Sequence, residues 1–235
     1  MSTFYIPTQF QPLKINARTD SPTDEAIIKE IFAENVYRLH DNFFADSGVV
    51  LDIGANIGIF TLDVLLRAKS SGLTVVIYAF EPEPHNLELL KQNLEDNKWL
   101  LEESKVFIIE KGIAAQSGKA FISNEHGSSR VSDTKWAEEE VAEVTLTTLD
   151  EFIEDQALGA VDFAKFDIEG SEVPSILATS DETLDKIRRT AIEFDDHNGL
   201  DKFSELVNRF ARNCSINTLG VPAKGCYIYT ERFDD

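Results

Sequence analysis

The chain has 235 residues, 43% of them apolar, with 16 Phe against 2 Trp; this suits one α/β domain with a sizeable core and excludes global disorder. Its 22 Lys+Arg against 42 Asp+Glu give a formal net charge of −20, a field that repels phosphate backbones and anionic lipid, so neither nucleic acid nor membrane surface is an expected partner. Cys214 and Cys226 make no disulfide framework and leave no zinc cluster, residues 1–7 lack a signal-peptide pattern, and no run reaches membrane-spanning length, so a soluble cytoplasmic protein is expected.

Residues 1–45 read as an N-terminal arm and helix packing on the core, and residues 46–235 as the main domain. Pro7, Pro12 and Pro22 imply irregular or partly extended backbone over residues 1–22. Ser21-Pro22-Thr23-Asp24-Glu25 predicts a helix start, with Ile27, Ile28, Ile31 and Phe32 following at helical spacing. Residues 49–53 (VVLDI) are a buried strand ending at a glycine, followed by a helix over 57–69. A strand at 74–80, a helix at 84–96 and a strand at 105–110 come next. This alternation predicts a parallel sheet with right-handed crossovers. Residues 118–123 and 141–147 predict two shorter strands flanking a polar loop, 124–140, which holds Gly127, Ser128, Ser129 and Arg130. A short helix over 148–155, a strand at 161–167, a helix at 171–178, a strand at 186–194 and a helix at 200–213 follow, and residues 215–219 and 226–231 predict a terminal hairpin.

The chemistry gathers at strand ends. Gly54-Ala55-Asn56-Ile57-Gly58 lies between a strand and a helix, where ligands bind in open parallel sheets. Gly54 lets the chain turn sharply, and Gly58 lets a ligand or the strand approach the helix backbone. Glu81, in Phe80-Glu81-Pro82, ends the second strand. A carboxylate there accepts hydrogen bonds from both hydroxyls of a ribose, and Pro82 fixes the backbone before the next helix. The spacing Gly-x-x-x-Gly is not the Gly-x-Gly-x-x-Gly that cradles a diphosphate. Asp52 beside it would repel a diphosphate and suits a cationic ligand such as S-adenosylmethionine (SAM). In Asp162-Phe163-Ala164-Lys165-Phe166-Asp167-Ile168-Glu169-Gly170-Ser171-Glu172, the acids Asp167, Glu169 and Glu172 gather at the end of another strand. They could hold the methionine part of SAM, orient an acceptor hydroxyl, or bind Mg²⁺. Lys165 shares a face of the pleat with Asp167, as the buried partner of an acid or as an edge charge. Asp167, Glu193 and His197 are the candidates for catalytic base. A Mg²⁺ site made from Asp167, Glu169, Asp195 and Asp196 is the less favoured alternative, so no metal ligand is assigned.

The ordered set Asp52-x-Gly54-Ala55-Asn56-x-Gly58, Phe80-Glu81-Pro82, Asn93, Thr147-Thr148-Leu149-Asp150, Asp162-x-x-Lys165-x-Asp167-x-Glu169-Gly170-x-Glu172 and Glu193 closely resembles the FkbM-type methyltransferases. The resemblance covers roughly residues 27–197. It implies the class I SAM-dependent fold, a Rossmann-like, doubly wound seven-stranded sheet, mostly parallel with an antiparallel last strand. It also implies SAM contacts from Asp52, Gly54, Asn56 and Gly58, ribose contact by Glu81 with Pro82, and an adenine pocket around Gly112, Ile113 and Ala114. Asp167, with Glu169 near it, would lie beside the transferred methyl. The implied reaction is O-methylation of a small hydroxylated acceptor, a sugar or natural product, recognised by residues 124–140. Two rival classes share the glycine loop and Glu81: an NAD-type oxidoreductase and a non-catalytic SAM- or nucleotide-binding module.

Overall fold

The computed structural model describes residues 1–19, 21–39, 48–125, 128–132, 141–195 and 198–233. It opens on a hairpin, β1 (Ser2–Ile6) and β2 (Leu13–Ala17), then α1 (Pro22–Lys29), which continues into a π-helical turn, Glu30–Glu34. Then come β3 (Gly48–Ile53), α2 (Ile59–Ser70), β4 (Val75–Phe80), α3 (Pro84–Asp96) and β5 (Lys105–Ile109). Four further strands follow: β6 (Gly112–Ile113), β7 (Gly118–Glu125), β8 (Ser128–Ser132) and β9 (Val141–Thr147). The last part holds α4 (Leu149–Asp155), β10 (Val161–Phe166), α5 (Glu172–Ala178), α6 (Asp181–Asp185), β11 (Ile187–Phe194), α7 (Gly199–Phe210), β12 (Cys214–Gly220) and β13 (Cys226–Arg232).

The main sheet has seven strands in the order β12-β13-β11-β10-β3-β4-β5. The pairs from β11 through β5 are parallel, and β13 runs antiparallel between β11 and β12. A parallel sheet needs helices on both faces, which is why its inner strands are apolar on both sides. Alternate residues of each strand therefore enter different layers. Val50, Ile77 and Ala79 pack with α2, α3 and the N-terminal hairpin. Leu51, Ile53, Tyr78 and Phe80 pack with residues of α4, α5 and α7.

The first 22 residues, expected to be irregular or partly extended, are extended over two paired strands. β1 pairs antiparallel with β2, from Ser2↔Ala17 to Ile6↔Leu13. Leu13, Ile15 and Ala17 are fully buried. The far edge of β2 is satisfied by side chains of α3. The Asn93 carboxamide accepts from the Asn16 backbone N–H at 2.7 Å, and the Asn97 carboxamide accepts from that of Lys14 at 3.0 Å. Two asparagines one helical turn apart thus stand in for a neighbouring strand and leave no open ladder edge. Two departures are the helix α6 and the strand β8. The latter, within the expected 124–140 loop, pairs antiparallel with β7 in a four-stranded sheet ordered β6-β9-β7-β8. Residues 126–127 and 133–140 of that stretch lie outside the described residues. Among the described residues no helix is long and apolar enough to cross a membrane.

Candidate active site

The carboxyl ends of β3, β4, β10 and β11 open into one cavity of about 240 Å³. Its floor holds Gly54 and Asn56 from the loop after β3, and Glu81 and Pro82 after β4. Asp167, Ile168 and Glu169 come from the end of β10, and Glu193 from β11. Ile113, Ala114, Ile122 and Leu146 make an apolar side. Thr23, Ala26, Ile27, Glu30 and Ile31 of the N-terminal helix form the opposite wall, and Tyr37 and Tyr227 close the end near Asp167.

The glycine loop is held by close approach of two strand ends. Gly54 has φ +86°, and a Cβ there would lie 1.7 Å from the Asp167 carbonyl oxygen, so no other residue fits. Gly58, at φ +87°, is close to something else: a Cβ there would meet the Leu90 side chain of α3 at 2.5 Å. Gly58 is thus a helix-packing residue outside the cavity lining, rather than one that admits a ligand. Asn56 takes the left-handed conformation at φ +50°, which asparagine tolerates better than most residues. That conformation aims its backbone N–H at Glu81, which accepts it at 2.8 Å.

Glu81 is buried, 4% exposed. Its other oxygen accepts from the Glu83 N–H at 2.9 Å and from the Asn86 carboxamide at 3.4 Å. Burial, only partly offset by the Glu83 and Asn56 N–H groups, raises its pKa to about 7. A cavity-facing carboxylate fixed by backbone donors, with no cation on it, keeps lone pairs for donors brought by a ligand.

Register makes the second half of the site. β10 pairs with β3 so that Lys165 lies opposite Asp52. The Lys165 ammonium, 3% exposed, reaches three acceptors: Asp52 Oδ1 at 3.3 Å, the Gly54 carbonyl at 2.6 Å and Asp167 Oδ2 at 3.2 Å. The other Asp52 oxygen accepts from the Thr61 hydroxyl at 2.6 Å. Asp52 is fully buried and absent from the cavity lining. This corrects the expectation of a direct contact with a ligand's cation, because the cation beside it is the protein's own Lys165. Burial alone would lower the Lys165 pKa, but the charges of Asp167 and Asp52 raise it well above normal.

Asp167 shows 24% of its side chain to the cavity. Its Oδ2 accepts from the Tyr37 hydroxyl at 2.8 Å. Burial pushes its pKa up, but the Lys165 ammonium and hydrogen bonds from Glu193, Tyr37 and Lys165 outweigh this and hold it below the usual carboxylate range. Glu193 moves the opposite way. The Asp167 charge beside it, with burial second, lifts its pKa to about 11. The two acids therefore share one proton, which rests on Glu193, as like charges in contact cannot both ionise. Glu172 turns away from the cavity: its carboxylate accepts the Ile168 and Gly170 N–H groups. It thereby holds the loop in which Glu169, at φ +56°, faces the cavity. Among the described residues no group of three or more His, Cys, Asp or Glu is arranged to hold a metal ion. His197 and Asp196 lie outside the described residues.

Glu193, at about 11, Glu172, raised by burial to about 8, and Glu81 bind protons more tightly in the folded chain than in the unfolded one. Their stabilisation is complete below the ordinary glutamate pKa and is lost as pH rises through the folded values. Asp167, shifted down, adds no slope above its ordinary range. The melting temperature is therefore expected to fall between about pH 6 and about pH 9. Glu193→Gln, which keeps a neutral donor beside Asp167, should remove up to about 1.4 kcal/mol per pH unit of that decline. Melts at several pH values check both points, and a melting temperature that climbs over this interval would remove the shared-proton assignment.

Tyr37, Tyr227 and Glu30 were not among the residues read from the sequence as site residues. Tyr227 carried a usable signal, since the hairpin pairs it directly opposite Glu193. Tyr37 carried none, because residues 35–39 follow no helical or strand period.

Comparison with known proteins agrees with this geometry. The Methyltransferase FkbM domain family matches residues 52–214. Among curated proteins, the chain is 26% identical over 235 residues to the AMB antimetabolite synthetase AmbE of Pseudomonas aeruginosa, a match covering 82% of this chain and 11% of that protein. It is also 26% identical over 198 residues to Methyltransferase sdnD of Sordaria araneosa, covering 71% of this chain and 73% of that one. Among solved structures, the methyltransferase FkbM from Methylobacillus flagellatus KT superposes with a TM-score of 0.53 at 17% identity, over 86% of this chain and 47% of that one. The human methyltransferase 10 domain containing protein gives 0.50 at 14% identity, over 95% and 89%. The chain thus spans about a tenth of the first of these curated relatives and under half of the first solved structure. A family match over most of the chain, a class I methyltransferase sheet order and a site at the strand ends agree: the chain belongs to the FkbM family of methyltransferases.

Proposed function

We propose that the protein transfers a methyl group from SAM to a hydroxyl of a small acceptor. The observation that carries this is the partly exposed Asp167 carboxylate, kept ionised by Lys165 and paired with a protonated Glu193, in the same cavity as Glu81. The donor set fits SAM. Glu81 offers acceptor lone pairs suited to a vicinal diol. Pro82, Ile113, Ala114, Ile122 and Leu146 offer an apolar slot suited to an adenine ring, and Asp167 and Glu169 offer negative charge suited to a cation. In this reading Gly54, Asn56, Glu81, Pro82, Ile113, Ala114, Asp167 and Glu169 hold the cofactor, while Asp52 and Gly58 shape its loop from behind.

Bound SAM supplies an electrophilic methyl on a cationic sulfur. The protein's part is alignment and proton removal. Alignment of reacting groups is worth about 7–11 kcal/mol in favourable cases, and a positioned base adds roughly 10²–10⁴-fold. Asp167 accepts the hydrogen bond of the incoming hydroxyl, and the Asp167–Glu193 pair takes up the released proton. The −20 charge supports a small neutral or cationic acceptor over a nucleic acid. The family assignment replaces the NAD-type reading of the glycine loop.

The test is a screen of hydroxylated sugars and natural-product scaffolds with methyl-labelled SAM. Label is expected in an ether methyl of at least one acceptor, with release of S-adenosylhomocysteine. Transfer confined to amines would sink the O-methyl assignment. SAM binding with no turnover on any acceptor class would favour the non-catalytic module.

A further inference from the structure

The segment before the matched family domain is tied directly to the cavity floor. Arg18 follows β2, whose backbone is held by Asn93 of α3; Asn93 also donates to the Ile57 carbonyl of the glycine loop at 2.8 Å. The Arg18 guanidinium fans out over three side chains. Its Nε donates to both oxygens of Asp24 at 3.1 Å, and Nη2 also meets that carboxylate. Its Nη1 donates to Asn86 Oδ1 at 2.9 Å, and its Nη2 to Asn56 Oδ1 at 3.2 Å. Asp24 is fully buried and Asn86 is 2% exposed.

The two asparagines whose side chains Arg18 holds also meet Glu81, beside the Glu83 N–H that it accepts at 2.9 Å. Asn56 gives its backbone N–H to one carboxylate oxygen, and Asn86 gives its side-chain N–H to the other. Arg18 does not line the cavity. Its charge is matched by Asp24, and it is not among the causes of the Glu81 pKa shift. Its influence is therefore geometric: one planar fork sets the spacing between Asn56 and Asn86, and that spacing, together with the Glu83 N–H, sets the orientation of the Glu81 carboxylate. We propose that Arg18, which lies outside the 52–214 match, is a positioning residue for the cofactor end of the cavity, acting on Glu81 through Asn56 and Asn86. The N-terminal segment is then part of the SAM site rather than a neighbouring appendage. A lysine cannot do the same work, since a single ammonium cannot span both amides while keeping Asp24.

This rests on the reading of Glu81 as the ribose contact, and the test separates the two. SAM and S-adenosylhomocysteine binding would be measured by calorimetry, with thermal melts, for the wild type, Arg18→Lys, Glu81→Gln and the double variant. Arg18→Lys keeps a cation for Asp24 and should melt near the wild type, yet bind both ligands about tenfold more weakly. In the Glu81→Gln background the same change should cost about threefold or less, because the group it orients is already altered. A second variant, Arg18→Met with Asp24→Asn, removes the fork without stranding a buried carboxylate and should show the same weakening. Wild-type affinity in either folded Arg18 variant overturns the positioning role, as does an Arg18→Lys loss equally large in both backgrounds. Failure of the wild type to bind SAM, or Glu81→Gln binding as the wild type does, would instead overturn the cofactor reading itself.

Discussion

Asp167→Asn is expected to lower methyl transfer by roughly 10²–10⁴-fold while the protein stays folded, the range expected for loss of a positioned base. The substitution keeps the side chain's shape. The Asn oxygen can still accept from the Tyr37 hydroxyl, which now donates to Asp167 at 2.8 Å. Lys165 keeps Asp52 and the Gly54 carbonyl as acceptors. What is lost is the negative charge at the cavity surface. Its removal also takes away the largest influence holding Glu193 protonated. Glu193 then gives up its proton more readily, which offsets part of the lost charge, and the fold survives. The replacement charge sits on a different strand, displaced from the point where the acceptor hydroxyl would be met. Turnover with labelled SAM, a thermal melt and SAM binding on the same preparation check this. Turnover equal to the wild type's would remove Asp167 from the mechanism. A loss confined to SAM affinity would make Asp167 a cofactor contact alone.

Lys165→Met should destabilise the fold by about 3–5 kcal/mol, the usual cost of stranding a buried charge. Lys165 is the cation shared by Asp52, which is fully buried, and Asp167. Methionine matches its length and apolar stem but leaves Asp52 with only the Thr61 hydroxyl and the Gly54 carbonyl without its donor. A loss of that size is a large part of the 5–15 kcal/mol that holds an ordinary domain together. Adding Asp52→Asn should recover part of it by removing the stranded charge. Urea unfolding of the two variants provides the comparison, and a Lys165→Met loss under about 1 kcal/mol would show that Lys165 is not the electrostatic keystone of this sheet.

The same residues show how far the sequence could be read. The run at 49–53 ending in Gly54, and the alternation that follows, predicted β3, α2, β4, α3 and β5 close to where they stand. A buried parallel strand and an amphipathic helix each declare themselves within a few residues. The spacing of Lys165 and Asp167 placed them on one face, and both meet there. The N-terminal hairpin was not legible in this way. β2 is five residues long between Pro12 and Arg18; it pairs with β1 on one side and is held on the other by Asn93 and Asn97, 77 and 83 residues further along from Asn16 and Lys14.

The sequence by itself determined the order of the main-sheet strands, the family, and the strand ends where Gly54, Glu81, Asp167 and Glu193 would appear. Local periodicity and a few conformationally demanding residues are enough for the strand order and the strand ends, and the ordered motif set carries the family resemblance. Only the tertiary structure decided what each charge faces. The register of β10 on β3 turned Asp52 from a ligand contact into the partner of Lys165. The docking of residues 18–37 brought Arg18 behind Glu81, and Tyr37 against Asp167. A carboxylate's role depends on which groups share its few ångströms of low-dielectric space, and those groups are supplied by strand pairing and helix packing between segments far apart in the chain.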